Sequence, residues 1–168
     1  MATLPKPFRR PDPEWRPLRE ADLAYVAALE AQIHPSPWTI GNFRDALAAG
    51  YCARAGERES RIVAYGVLML APGEAQILNL SVVPDARREG LGRALLRLFV
   101  EDARRLSVEQ VFLEVRASNV AAIRLYETEG FARVARRVAY YPGATPDAAR
   151  EDALVMRRAL DCDRAPPR

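Results

Sequence analysis

Val82-Val83-Pro84-Asp85-Ala86-Arg87-Arg88-Glu89-Gly90-Leu91-Gly92-Arg93 passes from an apolar, strand-forming run through a glycine-bearing turn directly into a helix-forming run. Free backbone N–H groups at a helix start, added to the helix dipole, make an anion site. Gly90 and Gly92 lack Cβ atoms and let the backbone come close to a bulky diphosphate, and Arg87, Arg88 and Arg93 can add charge-assisted hydrogen bonds. Two familiar phosphate motifs do not fit. A P-loop needs Gly-Lys-Ser/Thr at its end, but Gly92 is followed by Arg93 and Ala94. A dinucleotide fingerprint needs glycine or alanine where Leu95 stands, and it belongs to an early βαβ unit.

Outward from this turn the chain reads as an ordered series of elements. On the N-terminal side, Tyr51 to Ala55, Arg61 to Leu70 and Glu74 to Val83 read as three strands of an antiparallel meander, with turn residues around Gly56 and at Pro72-Gly73. Before them, Leu23, Val26, Ala27, Leu29, Glu30 and Ile33 recur at helical spacing until Pro35 and Pro37, and Thr39 can cap a short helix running to Leu47. On the C-terminal side, Arg93 to Leu106 is amphipathic, with Leu95, Leu96, Phe99 and Val100 available for burial. A strand over Glu109 to Arg116, a helix over Asn119 to Glu129 and strands over Phe131 to Ala139 and Asp152 to Ala159 complete the order. The expected class is α/β: a mixed, mostly antiparallel sheet flanked by helices on both faces.

In Glu109-Gln110-Val111-Phe112-Leu113-Glu114-Val115-Arg116, alternation puts Val111, Leu113 and Val115 on one face and Phe112, Glu114 and Arg116 on the other. Glu114 is therefore either a solvated edge residue or a carboxylate placed to act as a base. Asn119 suits the cap of the next helix. Tyr126, two turns along, reads equally as a core aromatic with a wet hydroxyl.

Arg87-x-x-Gly90-x-Gly92 resembles the Gln/Arg-x-x-Gly-x-Gly/Ala signature of the GNAT N-acetyltransferase superfamily. Leu113-Glu114-Val115-Arg116-Ala117-Ser118-Asn119, Ala121-Ala122-Ile123, Leu125-Tyr126 and Gly130-Phe131 are similar to its ribosomal-protein-alanine N-acetyltransferase branch. So are His34-x-x-Pro37-Trp38, Arg136-Arg137, Tyr140-Tyr141-Pro142 and Arg150-Glu151-Asp152-Ala153, and the similarity runs from about Glu30 to Met156. The resemblance implies the GNAT fold, with acetyl-CoA as the acetyl-donor cosubstrate. It makes Glu114 the proton acceptor and Tyr126 the proton donor. It places acetyl-CoA on Leu80, Ser81 and Val82, on Arg87, Arg88, Glu89, Gly90, Leu91, Gly92 and Arg93, and on Asn119. Trp38, Tyr140 and Tyr141 would lie over the acceptor groove, unless Trp38 and Tyr141 simply pack the edge of the core. The implied acceptor is the N-terminal alanine of the small-subunit ribosomal protein bS18. A lysine side chain, a small-molecule amine and a non-catalytic coenzyme A binder are the competing readings.

With 168 residues, the chain is long enough for one core. A single domain is expected over residues 18–160, between a flexible Pro/Arg-rich arm at 1–17 and a frayed tail at 161–168. The net charge of +3 comes almost wholly from arginine, because Lys6 is the only lysine, and the basic residues are scattered rather than gathered into a nucleic-acid stripe. No uninterrupted apolar run reaches membrane-spanning length and no signal peptide is visible, so a cytoplasmic monomer is expected. Cys52 and Cys162 stand far apart, and with His34 as the only histidine no metal site is expected.

Overall fold

The computed structural model describes residues 10–143, 145 and 147–160. The elements run in the order β1 (Glu14–Pro17), α1 (Leu23–Ile33), α2 (Ile40–Ala48), β2 (Cys52–Arg58), β3 (Arg61–Ala71), β4 (Glu74–Val82), α3 (Leu91–Arg105), β5 (Gln110–Arg116), α4 (Val120–Thr128), β6 (Ala132–Tyr141) and β7 (Glu151–Ala159). Among the described residues, seven strands form one sheet in the order β1-β2-β3-β4-β5-β7-β6. Every pairing is antiparallel except β4 with β5. One face is covered by α1 and α2, whose Leu23, Val26, Phe43 and Ala46 pack on Ala53, Tyr65 and Val67. The opposite face is covered by α3 and α4 through Leu95, Leu96, Phe99, Ile123 and Tyr126, so helices lie on both faces.

The expected arm does not extend to residue 17. Glu14–Pro17 is an edge strand, with Trp15 opposite Gly56 and Arg16 opposite Ala55. Pro13 precedes the strand and Pro17 is its last residue, and an edge strand tolerates proline because one side needs no ladder partner. Arg16 fixes it through Asp22 and Glu57, each at 2.7 Å. Residues 1–9 and the expected tail, 161–168, lie outside the described residues.

A bulge in β4 sets up the site. Val67 pairs with Asn79 while the next residue, Leu68, pairs with Ile77, so Leu78 is the extra residue. The insertion reverses the alternation. Ala75 and Ile77 join the core beneath α3, and Leu80 and Val82 lie on that same side, whereas Asn79 and Ser81 turn toward α1. Gly66 on β3 makes room for this: a methyl there would sit 2.6 Å from the Asn79 carbonyl oxygen and 2.9 Å from the Phe99 ring.

Candidate active site

Parallel β4 and β5 are paired only from Glu74–Gln110 to Ile77–Leu113. Beyond these positions the strands part, and a cavity of about 170 Å³ opens between them. Its walls are Ile77 to Ser81 on β4, Leu113 to Arg116 on β5, the end of α1, and Asn119 and Tyr126 from the start and middle of α4. Trp38 and Tyr141 complete the rim, whereas Tyr140 does not line it.

Glu114 projects from β5 with its side chain 14% exposed. It accepts a hydrogen bond from Arg137 Nε at 2.6 Å, and the Tyr140 phenol also donates to it, which raises the Tyr140 pKa. Thus Tyr140 touches the carboxylate from outside the cavity, while Tyr141, its neighbour on the strand, faces inward beneath the Arg116 guanidinium at 4.5 Å. Tyr126 packs on Phe131 with ring centroids 6.0 Å apart. Burial pushes its phenol up to about 12, with Tyr141 adding to the effect, so it stays protonated at neutral pH. Trp38 stacks on Phe43 at 5.1 Å while keeping an edge on the cavity. Asn119 caps α4 by accepting from Ala122 N at 3.2 Å and also lines the cavity, so capping and site placement coincide.

The turn before α3 is built for an exposed helix start. Gly90 is the N-cap at φ 87°, a left-handed backbone that glycine adopts without strain. The first helical bond is Ala94 N to Gly90 O, so the amides of Leu91, Gly92 and Arg93 precede it without helical partners. Leu91 is buried against Ala64, Val83 and Ala86 and anchors the turn. The four charged side chains here differ in availability. Arg87 Nε donates to the Val82 carbonyl at 3.3 Å, and Arg93 pairs with Glu129 at 2.9 Å. Glu89 is held by Arg58 at 2.8 Å and Arg10 at 3.5 Å, so its carboxylate is already paired. Arg88 makes no hydrogen bond or ion pair with another described residue.

Three features of the site were not legible beforehand. Glu30 is 2% exposed and accepts from Tyr65 Oη at 2.6 Å, Asn79 Nδ2 at 2.9 Å and Trp38 N at 3.4 Å. His34 Nε2 lies 2.8 Å from Ser81 Oγ, at the mouth of the same cavity. Arg116 joins three segments, reaching Ser36 Oγ at 3.2 Å, the Pro142 carbonyl at 3.1 Å and Glu151 at 3.1 Å. The available signal was a carboxylate, Glu30, standing in the apolar stripe of α1. Burial, then Asp102, pushes the Cys52 thiol up to about 11, which disfavours the reactive thiolate at neutral pH.

A mixed sheet opened between two parallel strands, with a glycine-bearing turn feeding a helix at the opening, defines an acetyltransferase architecture. Residues 14–131 match the acetyltransferase (GNAT) family, and the chain belongs to that family. The [ribosomal protein bS18]-alanine N-acetyltransferase of Escherichia coli K12 is 37% identical over 139 residues, which span 83% of this chain and 92% of that protein. The crystal structure of the ribosomal-protein-S18-alanine N-acetyltransferase from Escherichia coli superimposes with a TM-score of 0.80 at 35% identity, covering 87% of this chain and 92% of that one. The fold is also shared with yncA of Salmonella typhimurium, solved with acetyl-CoA, at a TM-score of 0.74, 20% identity and coverage of 92% and 98%.

Proposed function

We propose that this chain transfers the acetyl group of acetyl-CoA to the N-terminal alanine of ribosomal protein bS18, by direct attack with both substrates bound together. The observation that carries the reading is the parting of β4 from β5, which brings Glu114, Tyr126 and the Leu80–Ser81 backbone to one cavity. The name and 37% identity of the Escherichia coli relative support the acceptor.

Acetyl-CoA enters as a substrate, and the residues present suit it. Its diphosphate would lie on the amides of Leu91, Gly92 and Arg93, with Arg88 as the free cation. Leu80, Ser81 and Val82 offer backbone groups along the opened edge of β4. Their N–H groups are the candidates to stabilise the developing oxyanion. An N-terminal ammonium has a pKa near 8, so exposing its lone pair at neutral pH costs about 1 kcal/mol, and Glu114 takes that proton directly or through a water. Tyr126 donates to the departing sulfur. Trp38 and Tyr141 hold the first residues of the acceptor, and Tyr140 acts indirectly by holding Glu114.

The test uses a peptide with the bS18 N-terminal sequence and a free terminal alanine, a copy blocked at that terminus but keeping its lysines, and mass spectrometry after incubation with acetyl-CoA. One acetyl group on the free peptide and none on the blocked one is expected. Equal modification of both would replace the acceptor by lysine. Arg88→Ala is expected to raise the KM for acetyl-CoA roughly tenfold or more with kcat little changed, the loss of one charge-assisted hydrogen bond of about 1.5–3 kcal/mol. An unchanged KM would remove Arg88 from the diphosphate site.

A further inference from the structure

An ammonium nitrogen sheds two protons in becoming an amide, and a single carboxylate holds one at a time. Resting on the function proposed above, we infer that His34 is the second proton acceptor, bound to the site by Ser81 and buried Glu30 as a neutral ring with its Nδ1 lone pair free.

The hydrogen-bond partners of Ser81 favour this tautomer. Asn79 Nδ2 donates to Glu30 Oε1 at 2.9 Å, which sets the Asn79 amide so that its Oδ1 accepts from Ser81 Oγ at 3.1 Å. The Glu30 carboxylate, at 3.5 Å, is a further acceptor for the Ser81 proton. Ser81 has one proton, and the inference gives it to one of these two acceptors. Ser81 then accepts at 2.8 Å from His34, and in the inferred tautomer Nε2 carries the ring hydrogen and Nδ1 the lone pair. Tyr65, donating to Glu30 at 2.6 Å, holds the far end of the chain of bonds.

The ring is placed for the task. It lines the cavity from the α1 side, whereas Glu114 enters from β5, so the two acceptors approach the amine from different walls. With its side chain 37% exposed, His34 can hand a proton on to water. The charged groups around it are Glu30 on α1, Arg87 from the turn after β4 and Arg116 on β5; Glu114, Tyr126 and Tyr141 line the cavity with it. Burial lowers its pKa, aided by Arg87 and Arg116 and opposed by Glu30, so the ring is neutral at pH 7.

The protons balance as follows. Glu114 takes one from the ammonium, and the amine lone pair forms the C–N bond as the carbonyl π pair moves to oxygen. His34 Nδ1 takes the remaining surplus proton from that nitrogen. The C–S bond then breaks with its electron pair on sulfur, which receives the Tyr126 proton. Two protons leave through Glu114 and His34, Tyr126 recovers one from solvent, and the net release is one.

Because His34 is the sole histidine of the chain, the imidazole 15N shifts of untagged, labelled protein report it without ambiguity. The expected spectrum at pH 7 shows a protonated Nε2, a bare Nδ1 and a titration midpoint below 6.5. In kinetics, wild-type kcat should fall on the acid side at the ring's titration in the enzyme–substrate complex. His34→Gln should lower kcat roughly 10²-fold and lose that fall. Ser81→Ala, which releases the ring, should give mixed tautomers and a smaller loss of kcat with the fall retained. A protonated Nδ1 in the wild type at pH 7, or His34→Gln with wild-type kcat and the same acid limb, overturns the inference. Should Glu114→Gln be inactive while His34→Gln is normal, His34 alone is dismissed and the proposed reaction stands.

Discussion

Glu114→Gln is expected to lower kcat for acetyl transfer by about 10²–10⁴-fold, the range for removal of a positioned proton acceptor, with the fold intact. The substitution keeps the shape of the side chain and removes its charge and basicity. Its partner Arg137 is 55% exposed, and an ion pair of that kind contributes only about 0–1 kcal/mol. Thermal denaturation should therefore barely move while single-turnover acetylation collapses. Retention of wild-type turnover across pH would show that the proton leaves by another route.

Phe99→Ala should produce the larger effect on stability, a loss of about 3–5 kcal/mol. Phe99 is fully buried between α3 and the sheet, and its ring fills the space above Gly66, where even an added methyl would lie 2.9 Å away. Truncation leaves a cavity that the flanking β-strand backbone cannot close. Against a usual domain stability of about 5–15 kcal/mol, this is a large fraction. Urea denaturation measures it directly, and a change below about 1 kcal/mol would mean that the core repacks around the gap.

Periodicity and turn chemistry carried most of the fold. The apolar spacing of α3 and the alternation of β5 predict buried sets that the structure contains, including Leu95, Leu96, Phe99, Val111, Leu113 and Val115. Thr39 caps α2 by accepting from Asn42 N at 3.2 Å, as its position before an apolar run suggested. Local signals failed where pairing partners decide the outcome. Glu14–Pro17 is proline-flanked and polar, and becomes a strand only because β2 offers an edge. The extra residue in β4 is invisible because the alternation looks regular on either side of Leu78 and only its phase changes. Within the site, Glu114 and Tyr126 were named through motif resemblance, whereas the Glu30–Ser81–His34 set joins residues 47 and 51 positions apart and has no linear signature.

The brief contact between β4 and β5 also bears on how the free protein holds together. β4 and β5 are in register over only four residue pairs, so the sheet itself is joined there along a short seam while the core beneath α3 spans both sides. A ligand whose own amides lie along the unzipped margin of β4 would bind as a guest strand. At one hundred times its Kd, such a guest adds about 2.7 kcal/mol to the folded state.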